Sequence, residues 1–266
     1  MNKRYTREEI LEEFKKVDSN FFDYFFPIIG RKSNDRIENL YGTCSYLKNN
    51  YFITAGHCMK NISQEETKLI LFNQEKGWYG KEILDFEIFD EIDICIFKID
   101  HTPSRVKAFS WSNETPSIFL EVFACGFPHG FDFNSQKIYN RGFEGSISGI
   151  AETNKFIKNS YFTCIETSFA CPKGISGAPL VEFGNNNFIY GVVIGNTKVS
   201  IVTNEIREYN EDKNEVSLYV VEETTNLGMS VSNKTILTKE SRILGMNVNK
   251  YLENEGLINS KNDVIR

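Results

Sequence analysis

The chain has 266 residues, of which 41% are apolar and 25% charged, with a formal charge of −6 at pH 7 and a pI near 5.3. This is the composition of a globular chain long enough for one large core or two small ones, and it excludes disorder and collagen-like order. Acids outnumber bases, so no basic surplus exists to neutralise phosphates and no nucleic-acid partner is expected.

Eighteen Gly, only six Pro and 14% aromatic residues suit a strand-rich fold with turns of Gly, Asn and Asp. The first residues, Met1 to Glu9, run from bases into acids and lack the apolar stretch of a secretory signal. Thr6-x-x-Glu9 is a capping-box pattern, and Ile10, Leu11, Phe14 and Val17 follow on one helical face, which predicts a lead-in helix. The apolar segment Phe21 to Gly30 is interrupted by Asp23 and Pro27. It falls well short of the roughly 20 residues a membrane span needs, so no membrane association is expected.

From Tyr41 onward, short runs of Val, Ile, Phe, Tyr and Thr alternate with Asn, Gly, Asp or Pro, the pattern of antiparallel strands. Expected strands are Thr43–Leu47, Tyr51–Thr54, Leu69–Phe72, Ile94–Ile99, Ile118–Ala124, Pro179–Phe183 and Ile189–Ile194. Val199–Tyr209 and Glu215–Glu222 should form a long projecting hairpin across the charged turn at 210–214. Near the end, Asn247 should cap a helix that turns Val248, Tyr251 and Leu252 inward and stops at Gly256. The residues from Asn259 to Arg266 read as a frayed tail.

Cysteines 44, 58, 95, 125, 164 and 171 contain no C-x-x-C pair, and several sit in apolar strand-like runs. They are expected as free thiols in a reducing compartment, which points to a cytoplasmic location. No metal-ligand spacing is present, and neither metal nor cofactor is expected.

Three segments carry chemistry. Tyr51 to Cys58 is an apolar strand ending in Ala55 and Gly56, so His57 emerges at a strand end. Asp93 stands immediately before the strand Ile94-Cys95-Ile96-Phe97, where a carboxylate needs a partner. Asp90 and Glu91 compete with it but read as turn residues. Ser176 lies within Lys173-Gly174-Ile175-Ser176-Gly177-Ala178-Pro179-Leu180, where flanking glycines permit a tight, accessible loop. The other histidines, His101 and His129, have loop settings and read as solvated. Cys171 and Cys58 lie close to Ser176 and His57 in sequence but read as structural.

Histidine, aspartate and serine in this order and these contexts resemble the chymotrypsin-like (trypsin-like) serine peptidases, in particular their bacterial-type members. The resemblance rests on Thr54-Ala55-Gly56-His57-Cys58, Asp93-Ile94-Cys95-Ile96 and Gly174 to Leu180. It implies an all-β fold of two six-stranded antiparallel β-barrels with an N-terminal and a C-terminal helix. The expected organisation is a helical lead-in over 1–40, a peptidase body over 41–236 with the barrels meeting near 110–120, and a C-terminal helix and tail over 237–266.

The resemblance assigns His57 as general base, Asp93 as its orienting partner and Ser176 as nucleophile, with the backbone N–H groups of Gly174 and Ser176 as oxyanion hole. It places Ala170, Cys171 and Pro172 on one wall of the specificity pocket and Ile194, Gly195 and Asn196 on the other. None is acidic, so a neutral, apolar or small substrate side chain is expected. Relatives activated by N-terminal cleavage carry an aspartate where Ile175 stands, so that route is not expected here. The oxyanion loop is then either pre-formed or ordered by a partner, oligomer or ligand; an activating protein partner is the expectation, with restricted specificity and a microbial stress or defence pathway as the setting. In secreted relatives the cysteine after the histidine pairs with one on the preceding strand, and the alignment puts Gly42 at that position. The expected function is a serine endopeptidase acting on protein or peptide substrates. A catalytically silent trypsin-fold binding protein and an esterase with the same triad remain as alternatives.

Overall fold

The computed structural model describes residues 21–31, 37–60, 67–74, 77–128, 131–132, 137–153, 161–184, 188–210 and 215–258. The expected helix over Thr6–Val17, His129, the hairpin turn at 211–214 and the tail from Asn259 lie outside them.

The first sheet contains β1 (Phe26–Arg31), β2 (Ile37–Lys48), β3 (Tyr51–Ala55), β4 (Thr67–Gln74), β5 (Gly77–Glu82), β6 (Asp85–Phe89) and β7 (Ile94–Lys98), with the one-turn helix α1 (His57–Lys60) after β3. Its order is β5-β4-β1-β2-β3-β7-β6, antiparallel throughout. The edge strands β5 and β6 are two halves of one bent strand, separated only by Ile83 and Leu84. Ile83 N–H donates to Lys68 C=O in β4 (3.2 Å), and Leu84 N–H donates to Lys98 C=O in β7 (2.9 Å). The bend therefore carries the chain from one edge to the other and closes a six-stave barrel without free edges. Its interior is aromatic: Phe52 stacks on Phe97 at 5.5 Å between centroids and meets Phe26 edge-on at 5.7 Å.

A crossing segment carries the short strand β8 (Ser110–Trp111) to the second barrel. There β9 (Glu121–Gly126) precedes the small hairpin of β10 (Phe131–Asp132) and β11 (Lys137–Ile138). The barrel continues with β12 (Arg141–Thr153), β13 (Phe162–Thr167), β14 (Pro179–Glu182), β15 (Phe188–Asn210) and β16 (Glu215–Ser232). The order β14-β9-β12-β13-β16-β15 is closed by pairing of β14 with β15, again six staves. The expected two-barrel all-β architecture is present. The projecting hairpin is also present, with β15 and β16 paired from Asn196–Gly228 out to Asn210–Glu215.

After β16 the chain returns to the first barrel as a strap made of α2 (Asn233–Leu237), β17 (Glu240–Ser241), β18 (Met246–Asn247) and α3 (Val248–Asn254). The α3 helix is the expected one: Asn247 Oδ1 accepts from Asn249 N–H at 2.9 Å, and Val248, Tyr251 and Leu252 are buried. Gly256 beyond it is left-handed, φ 65°, as a helix stop requires. Tyr51 Oη donates to Ile243 C=O (2.9 Å) and Tyr251 Oη to Lys48 C=O (3.0 Å), so tyrosines from both sides clamp the strap to the β2–β3 turn. Trp111 N–H donates to Leu257 C=O (2.6 Å) and ties the strap to the crossing segment.

Two expectations need correction. Phe26–Arg31, placed in the helical lead-in, is a barrel strand, and the Phe21–Asp23 turn before it is a 3-10 turn. Five consecutive residues of β1 are buried, so it shows no period-two alternation. Pro27 precedes the residues that pair with β4, a position where a missing N–H costs no ladder bond. The strand expected from Ile118 starts at Glu121, because Phe119 is left-handed (φ 69°) and 82% exposed.

Leu252 is fully buried where the strap meets the first barrel. Leu252→Ala is expected to lower unfolding stability by about 2 to 5 kcal/mol, measured by urea denaturation.

Candidate active site

The β3 strand delivers His57 to the barrel rim, and the tight turn before β7 delivers Asp93 beside it. Asp93 is left-handed, φ 55°, a conformation aspartate tolerates better than most residues. Gly56 N–H donates to the Asp93 carbonyl (2.7 Å), and His57 N–H donates to Asp93 Oδ1 (2.7 Å). The His57 Nδ1 lies 2.6 Å from Asp93 Oδ2. One carboxylate thus holds both the main chain and the ring of the histidine, which fixes the ring with Nδ1 towards Asp93 and leaves Nε2 for other partners. Hydrogen bonding to Asp93, with a secondary contribution from Cys58, holds the His57 pKa well above its ordinary 6.5, against the lowering effect of partial burial. The competing acids are drawn elsewhere: Asp90 pairs with Lys60 (2.7 Å) and Glu91 with Lys239 (2.8 Å).

Ser176 comes from the second barrel, half-buried, on the loop before β14. Its carbonyl accepts from Thr43 N–H on β2 at 2.8 Å and lies 3.7 Å from Cys58 Sγ, the residue next to His57. Its hydroxyl makes no hydrogen bond to the His57 ring among the described residues, a contact that in empty acyl-transfer sites commonly tightens only with substrate.

The loop around Ser176 is held from both sides. Thr43, fully buried, donates its Oγ1 to Gly174 C=O (2.8 Å) and accepts Thr54 Oγ1 on its own carbonyl (2.7 Å). Ile175 is fully buried in the second barrel's core, which anchors the loop by apolar packing. Gly174 has φ 105°, and a Cβ there would lie 2.7 Å from Phe127 C=O. Gly177 has φ 85°, and its Cβ would lie 2.1 Å from Thr43 C=O. Both positions therefore require glycine. Ile175 N–H donates to Pro172 C=O (3.1 Å), Gly177 N–H to Val193 C=O (2.7 Å) and Ala178 N–H to Ile175 C=O (2.9 Å). Among the described residues, the Gly174 and Ser176 N–H groups have no acceptor. These are the two donors expected for an oxyanion.

Of the residues expected at the specificity pocket, Cys171 and Asn196 are brought together. Asn196 at the base of the projecting hairpin bonds through its side-chain amide to the main chain of Cys171, so the 170–172 and 194–196 segments face each other. All six cysteines are free and buried. Burial pushes the thiols of Cys125, Cys164 and Cys171 up to about 12, which removes Cys171 as a thiolate nucleophile. His101 is exposed in the loop after β7, and no metal-binding cluster occurs among the described residues.

Sequence reasoning missed Thr43 and Lys68. Lys68 is buried and donates to Cys58 C=O at 2.6 Å, steadying the helix that begins with His57. Thr43 read only as a β-forming strand residue, and no local signal marks a threonine whose partners lie in another barrel.

With this geometry in place, comparison with known proteins finds that the trypsin-like peptidase domain matches residues 42–192. The chain belongs to this family. Among solved structures, this peptidase domain is similar to the active form of the Rv3671c protease from M. tuberculosis, with 13% identity, 89% of this chain and 91% of that one covered, and a TM-score of 0.57. It is also similar to the MamO protease domain from Magnetospirillum magneticum (13% identity, 82% and 95% covered, TM-score 0.56). Deg5 follows with 16% identity, 73% and 88% covered, and a TM-score of 0.55. No curated protein matches the chain in sequence. The disulfide of secreted relatives is replaced here by close contact: a Cβ on Gly42 would lie 2.5 Å from Cys58 Sγ and 2.6 Å from Ser176 C=O.

Thr43→Val keeps the shape of the side chain but leaves Gly174 C=O without its donor. It is expected to cost about 1 to 3 kcal/mol of stability and to slow labelling of Ser176 by a fluorophosphonate. Thr43→Ser should restore both, as read by denaturation and intact mass.

Proposed function

We propose that the chain is a serine endopeptidase that cleaves protein or peptide substrates through His57, Asp93 and Ser176. The observation that carries this reading is the double grip of the Asp93 carboxylate on His57, at 2.7 Å to its N–H and 2.6 Å to its ring. A histidine fixed in this way presents Nε2 as the base for the serine loop across the cleft.

In this reading His57 takes the Ser176 proton as the hydroxyl attacks the substrate carbonyl, and then returns it to the leaving amine. Asp93 stabilises the imidazolium formed in between. The oxyanion of the tetrahedral intermediate is met by the Gly174 and Ser176 N–H groups, each donor contributing roughly 10² to 10³ in rate. The burial of Ile175 and the Thr43 bonds support a site that stands formed on its own. A protein partner would then act on access or substrate delivery rather than on the loop. The six buried thiols support a reducing, cytoplasmic setting.

Fluorophosphonate labelling followed by intact mass tests the reading directly. The purified wild type should gain one adduct, and Ser176→Ala and His57→Ala should gain none. A folded wild type that stays unlabelled would overturn it.

The raised His57 pKa sets the pH dependence. The base form appears only as pH rises through the folded pKa, so the acid limb of kcat/KM should have its midpoint above 6.5. The stabilisation from the His57–Asp93 pair runs the other way: it is present in full below 6.5 and lost as pH rises through the folded value. Asp93→Asn should move the acid limb down and reduce kcat by about 10⁴, as checked by a pH–rate profile.

A further inference from the structure

The two segments that would flank the substrate side chain preceding the scissile bond are bonded directly to each other. Asn196 Nδ2 donates to Cys171 C=O at 2.8 Å, and Cys171 N–H donates to Asn196 Oδ1 at 2.6 Å. The side-chain amide of Asn196 thus pairs with the main chain of Cys171 and joins the 170–172 and 194–196 segments. Deeper in, Gly228 N–H donates to Phe169 C=O at 2.7 Å. A Cβ on Gly228 would lie 2.6 Å from Cys171 Sγ and 2.4 Å from Thr167 Oγ1. Cys171 is 4% exposed, with its Sγ close against Gly228.

We propose that Asn196 determines specificity by closing this pocket, so that cleavage follows residues with small side chains: glycine, alanine or serine. The proposal rests on the peptidase reading above and narrows its substrate class. A larger side chain could enter only by breaking both amide bonds, and would leave Cys171 N–H and C=O unpaired against it. The neutral lining alone would admit any apolar residue; the clamp is what excludes the long ones. Asn196 itself is exposed, at the base of the ribbon formed by β15 and β16, so its removal does not open the barrel core.

The test uses peptidyl diphenyl phosphonates that differ only in carrying alanine or phenylalanine at the position before the phosphorus. Each forms a bond from Ser176 Oγ to phosphorus with release of phenol. Every rate is divided by the same protein's rate with a small fluorophosphonate, which carries no peptide side chain. Wild type should favour the alanine probe, and Asn196→Gly should raise the phenylalanine-to-alanine ratio by about 10- to 200-fold, the range one methylene or more commands in an apolar pocket. Asn196→Ala, which loses the same two bonds, should move the ratio in the same direction and serves if the glycine variant unfolds.

The proposal is overturned if the wild type accepts phenylalanine as readily as alanine. It is also overturned if the variants react with the fluorophosphonate but keep the wild-type ratio. A folded wild type inert to the fluorophosphonate as well overturns the peptidase reading, and the pocket assignment falls with it.

Discussion

Thr43 is where the two barrels become one site. Its N–H holds Ser176, its hydroxyl holds Gly174 and its carbonyl is held in turn by Thr54. Thr43, Thr54 and Gly174 are buried, so a bond left unmade among them would cost the desolvation of its partner. The loop that carries the candidate nucleophile therefore derives its conformation from a strand of the other barrel. Gly177 is pressed so close to that strand that only a hydrogen fits in place of a Cβ.

Where the resemblance puts an aspartate in relatives activated by N-terminal cleavage, Ile175 here enters an apolar core. Apolar packing forms with the barrel itself and is present from the moment the barrel folds. On the histidine side the arrangement is electrostatic. Asp93 is largely removed from solvent, at 16% side-chain exposure, and the His57 ring lies 2.6 Å from its carboxylate. The cleft thus joins a half set by charge to a half set by packing.

Much of this was legible in the sequence where the signal is local. His57, Asp93 and Ser176 each sit in a motif of a few residues, and the α3 helix showed its cap, its buried face and its glycine stop within ten positions. Contacts between distant segments left no such trace. Strand β1 lacks alternation because both its faces are covered, and the bend joining β5 to β6 is visible only once their neighbours are known. Thr43 and the amide clamp of Asn196 depend on partners more than a hundred and some twenty-five residues away, respectively. Asn196 was placed on the pocket wall by resemblance, but nothing in the sequence shows that its amide reaches the main chain of Cys171.

The strap from Asn233 to Ile258 has a consequence for how the protein comes into being. Lys48, Tyr51, Asp85 and Glu87 of the first barrel and Thr163 of the second are among its partners, so many of its bonds span most of the chain. During synthesis the first barrel leaves the ribosome long before the strap does, and contacts of such long range are the last to form. Until they form, the barrels are joined only by the crossing segment and the contacts across the cleft. The bonds of Thr43 to the serine loop involve no residue of the strap, so its late arrival bears on how firmly the first barrel is held rather than on whether the site is formed.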